Sequence, residues 1–258
     1  MLTNKQIWEI ALKQSAYDCN CSPEDFLKSE NVITLSQPHP KARIYLPLPF
    51  ACDLVSYGSN IVAQVDALTK EIVADYLAHY PAEHCFETPN LHVLDEKLAP
   101  FGLKICFMAE YFLPDLDVLK PLPCKYKLRL LRAGDFEPLY TGEWSNALCA
   151  DRKQADVLGM GAYDGEKLIG LAGCSADCQT MWQIGVDVLP EYRRQGIAAA
   201  LTSRLALEIL DRGKVPFYCA AWSNLKSVRN AIKAGFRPAW VELTAREKAC
   251  VDYMNRYD

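Results

Sequence analysis

The chain has 258 residues, of which 50% are hydrophobic and 23% are charged, with a formal net charge of −4 at pH 7. This length accommodates one large domain or two ordinary ones with a sizeable core. The acidic balance argues against a nucleic-acid-binding surface, and no apolar run is long enough to cross a bilayer. Because the N-terminus also lacks the apolar segment of a signal peptide, we expect a cytoplasmic protein that binds neither nucleic acid nor membrane.

Mixed helices and strands are predicted in the first half of the chain. The predicted helices are Asn4–Gln14, a short one begun by Ser22, Ala67–His79 and Leu91–Leu98, and the predicted strands are Val32–Leu35, Arg43–Leu48, Ile61–Val65 and Leu103–Ala109. Three prolines between Leu113 and Pro123 indicate a linker. We therefore expect a smaller α+β domain over residues 1–122 and a second domain over residues 123–258.

The second half has a more regular order of predicted elements. They are the strand Tyr126–Leu131, helical stretches to about Ala150, a hairpin of Val157–Tyr163 and Lys167–Cys174, the strand Met181–Val188, the helix Ala198–Arg212, the strand Val215–Trp222, a helix to Ala234, the strand Ala239–Thr244 and a helical tail, Arg246–Tyr257. This order predicts a mixed sheet with helices packed on it.

Eleven cysteines are scattered along the chain. Without a secretion signal, we interpret them as reduced thiols. Cys19 and Cys21, and Cys174 and Cys178, are close pairs, but neither has the spacing of a structural zinc site and no histidine lies near them. The sequence therefore predicts no metal site.

The segment after the strand Met181–Val188 has the properties of a phosphate-binding turn. It carries Arg193 and Arg194, and Gly196 then begins a run of strong helix formers. The first N–H groups of a helix have no intrahelical partner and lie at the positive end of the helix dipole, so they stabilise an anion. Glycine lets the backbone approach a ligand closely. An ordinary strand–helix junction with solvated arginines explains the same residues, and this short motif alone leaves both interpretations open.

A longer pattern favours the phosphate turn. The run Val188–Leu201 resembles the acetyl-CoA-binding segment of the GNAT superfamily of N-acetyltransferases, whose R/Q-x-x-G-x-G/A core is matched by Arg193, Gly196 and Ala198. That family has a second strand, an Asn that opens the next helix and a Gly-Phe at the end of that helix. This chain has counterparts to all three in the same order, at Val215–Trp222, Asn224 and Gly235-Phe236.

The resemblance covers about the C-terminal half of the chain and implies both fold and function. The implied fold class is mixed α/β (α+β): a GNAT acyl-CoA N-acyltransferase fold with helices flanking a mixed central sheet, preceded here by the smaller α+β domain. The implied activity is transfer of an acetyl group from acetyl-CoA, a co-substrate, to a primary amine of a small molecule or peptide. Transfer is expected by direct attack in a ternary complex, without a metal.

The resemblance also assigns residues to acetyl-CoA. Val186 and Val188 are expected to bind the pantetheine arm through their backbone groups, where their strand splays from the next one. Asn224 is expected to hydrogen-bond the arm, a role compatible with capping its helix, and Ser227 is a further candidate. The pyrophosphate is expected on the turn residues Arg193, Arg194, Gln195, Gly196, Ile197, Ala198 and Ala199.

The catalytic groups are less determined. Many relatives have a Tyr seven residues after the Asn, which protonates the departing thiolate, but this chain has Ala231 there. Asp187 and Glu242 are candidate bases, with solvent as an alternative. Cys219, on the second core strand, is interpreted as a buried structural thiol. The tyrosines considered as substitute acids are Tyr192, Tyr218, Tyr253 and Tyr257.

A second class of function stays open beside the enzyme. The missing Tyr is compatible with a sensor or regulatory module that binds acyl-CoA and transfers little. A Rossmann dinucleotide enzyme is disfavoured, because the chain lacks G-x-G-x-x-G and its glycine turn comes late. The acceptor is open among aminoglycosides, polyamines, amino acids and protein N-termini, and the sequence leaves the oligomeric state open.

Overall fold

The computed structural model describes residues 2–256, which fold as two compact units. Unit 1 contains residues 2–11 and 111–238, and unit 2 contains residues 12–110 and 239–256. The helices are α1 Asn4–Asp18, α2 Lys70–His79, α3 Thr88–Leu98, α4 Ile197–Asp211, α5 Leu225–Lys233 and α6 Lys248–Met254. The strands are β1 Val32–Leu35, β2 Cys52–Ser56, β3 Val62–Val65, β4 Leu103–Pro114, β5 Lys127–Arg132, β6 Asp156–Asp164, β7 Lys167–Ser175, β8 Met181–Val188, β9 Val215–Ala221 and β10 Phe236–Glu247.

Unit 1 is built on a mixed sheet. Strands β5 to β8 follow one another as antiparallel neighbours, and β9 then lies parallel to β8, with the end of β4 beside it. Helix α4 packs on β6, β7 and β8. Its apolar stripe, formed by Ile197, Leu201, Leu205 and Ile209, is fully buried, as the four-residue spacing predicts. The mixed α/β class predicted from the sequence is therefore confirmed.

Unit 2 has its own set of strands and its own core. The strand order is β1-β3-β2-β10-β4. Helices α2 and α3 bury Val73, Tyr76, Leu94 and Leu98 against the sheet, where strands such as β3 supply buried apolar residues. The Tyr76 hydroxyl donates to the carbonyl of Cys85 at 2.8 Å, so this aromatic ring is buried with its polar atom satisfied.

Most predicted elements are present, and two expectations for the first half are wrong. Arg43–Leu48 is not a strand: Arg43 turns inward to form an ion pair with Asp18 at 2.6 Å, and Pro47 and Pro49 prevent regular pairing. The expected linker is partly strand, because β4 continues to Pro114. Strand β2, fully buried along Cys52–Ser56, was not predicted, since a short buried strand lacks the alternation that marks a half-exposed one.

The two units do not follow the expected domain ranges of 1–122 and 123–258. Helix α1 and the strands β4 and β10 each run from one unit into the other along the chain. Strand β4 carries no break signal where it crosses from Glu110 to Tyr111, and β10 continues as one strand through its crossing at Pro238. A boundary drawn from prolines alone therefore falls elsewhere than the division by packing.

Candidate active site

Strands β8 and β9 are paired at their beginnings and separate towards their carboxyl ends. Their parallel register runs from Met181 opposite Val215 to Ile184 opposite Tyr218. Beyond that point β8 stays paired with β7 as far as Val188, whereas in the described chain β9 pairs with no further residue of β8. We call the opening between residues 185–188 of β8 and residues 219–221 of β9 the strand fork. Another extended chain can pair with the strand edges exposed there.

The turn after β8, residues 193–199, contains two residues with positive φ angles. Gly196, the N-cap of α4, has φ of 79° and Arg194 has φ of 63°. Glycine adopts this conformation freely, whereas it is uncommon for arginine. Within residues 2–256 no side chain caps the first turn of α4, so its N–H groups are available to a ligand. We call residues 193–199 the phosphate turn.

Two side-chain contacts hold the phosphate turn in place. Arg193 Nε donates to the carbonyl of Val188 at 3.0 Å, which ties the turn to the last residue of β8. The Tyr126 hydroxyl donates to Gln195 Oε1 at 3.1 Å. The side chains of Arg193, Arg194 and Gln195 are exposed, whereas Ile197 and Ala199 are buried in the packing of α4. The turn therefore presents charge and backbone N–H groups on an anchored backbone.

A third cation lies at this site and was not predicted from the sequence. Lys233 Nζ lies 3.9 Å from the point where a Cβ on Gly196 would sit. Lys233 ends α5 and is exposed. The packing of α5 beside α4 brings it to the turn, and nothing in the local sequence signals that contact. The phosphate turn therefore carries positive charge from Arg193, Arg194 and Lys233 as well as from the helix dipole.

Asn224 and Ser227 lie at the start of α5, just past the end of β9. Asn224 Oδ1 accepts from the Ser227 N–H at 3.2 Å, the helix-cap arrangement, and this leaves its amide NH₂ directed elsewhere. Ser227 Oγ is 2.8 Å from the hydroxyl of Tyr218. Burial raises the pKa of Tyr218, while hydrogen bonds from Ser227 and Asn230 oppose the rise.

Asp187 anchors a loop. Its carboxylate accepts from the Asn146 N–H at 2.9 Å, from Asn146 Nδ2 at 2.7 Å and from the Ala147 N–H at 3.0 Å. Its side chain is on the face of β8 opposite Val188, whose methyl group faces Gly170 on the α4 side. With three donors on the carboxylate, the contacts of Asp187 indicate a structural role for this candidate base.

Two glycines let that loop lie directly on the sheet. Gly173 of β7 and Gly185 of β8 are opposite each other in the antiparallel register. A Cβ on Gly185 would be 1.8 Å from the Asn146 carbonyl oxygen, and one on Gly173 would be 2.0 Å from that of Ala147. This loop was not predicted from the sequence, although glycine inside a strand is a recognised sign that another backbone approaches closely.

The remaining candidates lie in varied surroundings. Glu242 is buried on β10 in unit 2. The burial of Asp53 and the nearby charge of Glu242 both raise the pKa of Asp53. Cys219 is half-buried at the fork, which is less buried than expected. Its sulfur accepts a hydrogen bond from Gln183 Nε2 at 3.1 Å. Tyr192 donates to Asp164 Oδ2, and Tyr253 is exposed on α6. Tyr257 lies outside the described residues.

Neither a metal cluster nor a membrane-spanning helix is found in the described chain. Residues 2–256 contain no group of three or more His, Cys, Asp or Glu side chains arranged to hold a metal ion. None of the helices in the same range is both long and apolar enough to span a bilayer.

The family model for GNAT acetyltransferases matches residues 106–239, just over half of the chain. No curated protein matches the chain. Among solved structures, a GNAT-family acetyltransferase from Novosphingobium aromaticivorans DSM 12444 is 18% identical, with a TM-score of 0.45, over 56% of this chain and 66% of that one. A GCN5-related N-acetyltransferase-like protein from Streptococcus suis 89/1591 is 22% identical, with a TM-score of 0.45, over 62% and 69%. The chain thus spans about two thirds of the length of these two structures.

Proposed function

Because the chain belongs to the GNAT acetyltransferase family, we propose that it transfers the acetyl group of acetyl-CoA to a primary amine of a small molecule or peptide. One observation carries this proposal: an uncapped, positively charged helix N-terminus directly follows a strand that separates from its parallel neighbour. The first feature suits a phosphate and the second suits a peptide-like arm. Because the two features are adjacent, they suit a single ligand that contains both a phosphate and a peptide-like arm.

The residues present fit acetyl-CoA as follows. The pyrophosphate lies on the N–H groups of the phosphate turn, with the charges of Arg193, Arg194 and Lys233 around it. The pantetheine arm runs into the strand fork and pairs with the backbone of Val186 and Val188. The Asn224 amide donates to the arm while its oxygen keeps capping α5. Ser227 and the turn residues Gln195, Ile197, Ala198 and Ala199 complete this binding set.

The reaction places an amine beside the thioester in the strand fork. The neutral amine nitrogen attacks the acetyl carbon, the carbonyl oxygen takes up the displaced electron pair, and collapse of this intermediate breaks the C–S bond. A single bound geometry for both reactants supplies much of the rate. Since Asp187 is committed to the loop at Asn146, we assign deprotonation of the amine to solvent.

The alternative function, an acyl-CoA-binding sensor, is favoured by one observation. Position 231, where many relatives have the Tyr acid, is a fully buried alanine. A protein that binds acyl-CoA without turning it over has no need of that acid. The sensor and the enzyme share the binding residues and differ only in turnover.

A reducing compartment such as the cytoplasm suits the chain. In the described chain all eleven cysteines are thiols and none is in a disulfide, and several of them are half-exposed. Disulfides persist in oxidising compartments and are rare in the cytosol. Chains rich in free thiols keep them reduced only where the surroundings are reducing.

The two functions, enzyme and sensor, are distinguished by incubating the protein with acetyl-CoA and each member of an amine panel. The panel contains an aminoglycoside, a polyamine, free amino acids and a short peptide with a free N-terminus. We expect CoA and one acetylated amine to accumulate in equal amounts, as measured by liquid chromatography with mass detection. Saturable acetyl-CoA binding without amine-dependent CoA release would contradict the enzyme and support the sensor.

A further inference from the structure

We propose that the Tyr218 hydroxyl protonates the CoA thiolate as it departs, an inference that rests on the proposed function. Tyr218 is the last residue of β9 that pairs with β8, so it lies at the closed end of the strand fork. Its hydroxyl is 2.8 Å from Ser227 Oγ in the first turn of α5. The same helix carries Ala231 in place of the tyrosine of many relatives. The phenol of Tyr218 therefore lies beside the helix that lacks that tyrosine.

The length of the pantetheine arm puts the sulfur of CoA close to Tyr218. Four residues of extended strand separate Val188 from Ile184, about 13 Å at the usual rise per residue. A pantetheine arm, with two amide groups, has the length of about four extended residues. An arm that starts at the phosphate turn, just past Val188, and follows β8 inward therefore ends near Ile184 and its partner Tyr218.

Tyr218 is in the protonation state that a donor needs. The residue is 4% exposed, and desolvation by this burial raises the pKa of its phenol, so the hydroxyl keeps its proton at neutral pH. Ser227 and Asn230 favour the phenolate through hydrogen bonds, which lowers the cost of giving the proton away. For Tyr218 to donate towards the fork, the Ser227 hydroxyl donates to the phenol oxygen.

The proton transfer closes the reaction. When the C–S bond of the intermediate breaks, the sulfur keeps the bonding electron pair and the carbonyl double bond forms again. The Tyr218 proton moves to the sulfur, which gives the CoA thiol and a phenolate. The phenolate takes a proton from solvent, which has accepted the one released by the attacking amine. The products are therefore the acetylated amine and CoA.

The inference is testable without knowing the acceptor, by comparing CoA with dethio-CoA, in which hydrogen replaces the thiol. Both affinities are measured by calorimetry from pH 7 to pH 9.5 for the parent and for Tyr218→Phe. In the parent, the preference for CoA grows with pH as the thiol ionises, because Tyr218 donates to the thiolate. We expect this growth to reach about tenfold, the value of a hydrogen bond to a charged group. In Tyr218→Phe we expect the growth to be lost, with dethio-CoA affinity unchanged.

The control is Tyr163→Phe, the same substitution on β6 of the same sheet. We expect it to keep the pH-dependent preference of the parent. An equal preference in Tyr218→Phe and the parent, or an equal loss in Tyr163→Phe, overturns the inference and leaves the proposed function standing. If neither CoA nor dethio-CoA binds the parent, the proposed function and this inference both fail.

A second variant covers the case in which Tyr218→Phe does not fold, as judged by its thermal melting. Ser227→Ala keeps the phenol but removes the hydroxyl that supports the phenolate. We expect the pH-dependent preference for CoA to fall in this variant by at least about threefold, because a neutral hydrogen bond contributes roughly this much. A preference equal to that of the parent overturns the inference.

Discussion

At the scale of single residues, the phosphate turn combines a local side-chain contact with a charge from a residue that is distant in sequence. Arg193 is tied to the end of β8 through the Val188 carbonyl, whereas Lys233 reaches the turn from the end of α5. Lys233 is exposed, so its contribution to anion binding is screened by salt. Its removal changes charge without changing the backbone of the turn.

Lys233→Ala is expected to weaken CoA binding about two- to fivefold at low salt, because one exposed charge contributes about 1 kcal/mol at most. The loss should shrink as the salt concentration rises. Calorimetry at two salt concentrations measures it. The control is Lys214→Ala, just beyond the other end of α4, where Lys214 Nζ donates to the Gln179 carbonyl. An equal effect of both substitutions would show that Lys233 acts only through net charge.

At the scale of elements, the sheet of unit 1 is shaped by glycines, which have no side chain, as well as by side-chain contacts. Gly173 and Gly185 leave room for the loop at Asn146, and Asp187 holds the loop there. The loop therefore lies on the face of β8 away from α4, beside the half of β8 that β9 has left.

Gly185→Ala is expected to destabilise the protein by about 1–3 kcal/mol, the usual cost of overpacking. The added methyl would lie 1.8 Å from the Asn146 carbonyl oxygen, so the loop must move. Urea unfolding measures the change. Gly142→Ala is the matched control, because nothing lies within 4 Å of its added methyl, and we expect it to stay within about 0.5 kcal/mol of the parent. A neutral Gly185→Ala would mean that the loop does not rest on the sheet.

The sequence predicts elements better than it predicts contacts. Strand β8 was predicted with both ends as observed, because β-branched residues and Pro190 delimit it. The start of a helix at Gly196 follows from the same local pattern. The position of Lys233 and the loop on Gly185 depend on tertiary packing, which local periodicity does not encode. The separation of β8 from β9 was expected only through the family resemblance. The binding roles assigned to the turn and fork residues stay predictions.

At the scale of the whole molecule, each unit has its own core, and that of unit 2 includes buried polar groups. Asp53 accepts from Gln64 at 2.8 Å and from Thr244 at 2.7 Å. Burial and the neighbouring charge of Glu242 raise the pKa of Asp53 well above 3.8. The folded protein therefore holds a proton at a pH where the unfolded chain has lost it, so stability falls as pH rises through that window.

Asp53→Asn is expected to flatten this fall. Asparagine is neutral at every pH, and the Thr244 hydroxyl can rotate to accept from its amide. In the parent, one such proton contributes up to about 1.4 kcal/mol per pH unit between the ordinary pKa and the raised one. Urea unfolding at pH 5, 6, 7 and 8 gives both slopes. Parallel slopes for the two proteins would contradict a protonated Asp53.

The most direct test of the central claim is acetyl-CoA binding by calorimetry in the parent, Gly196→Glu and Gly213→Glu. Both glycines have positive φ, 79° and 70°, and both adjoin α4, so the two variants add the same charge and similar backbone strain at its two ends. We expect binding in the parent and in Gly213→Glu. We expect its loss in Gly196→Glu, because the carboxylate blocks and repels the pyrophosphate. Equal binding by both variants, or none by the parent, would contradict the phosphate turn and the proposed function with it.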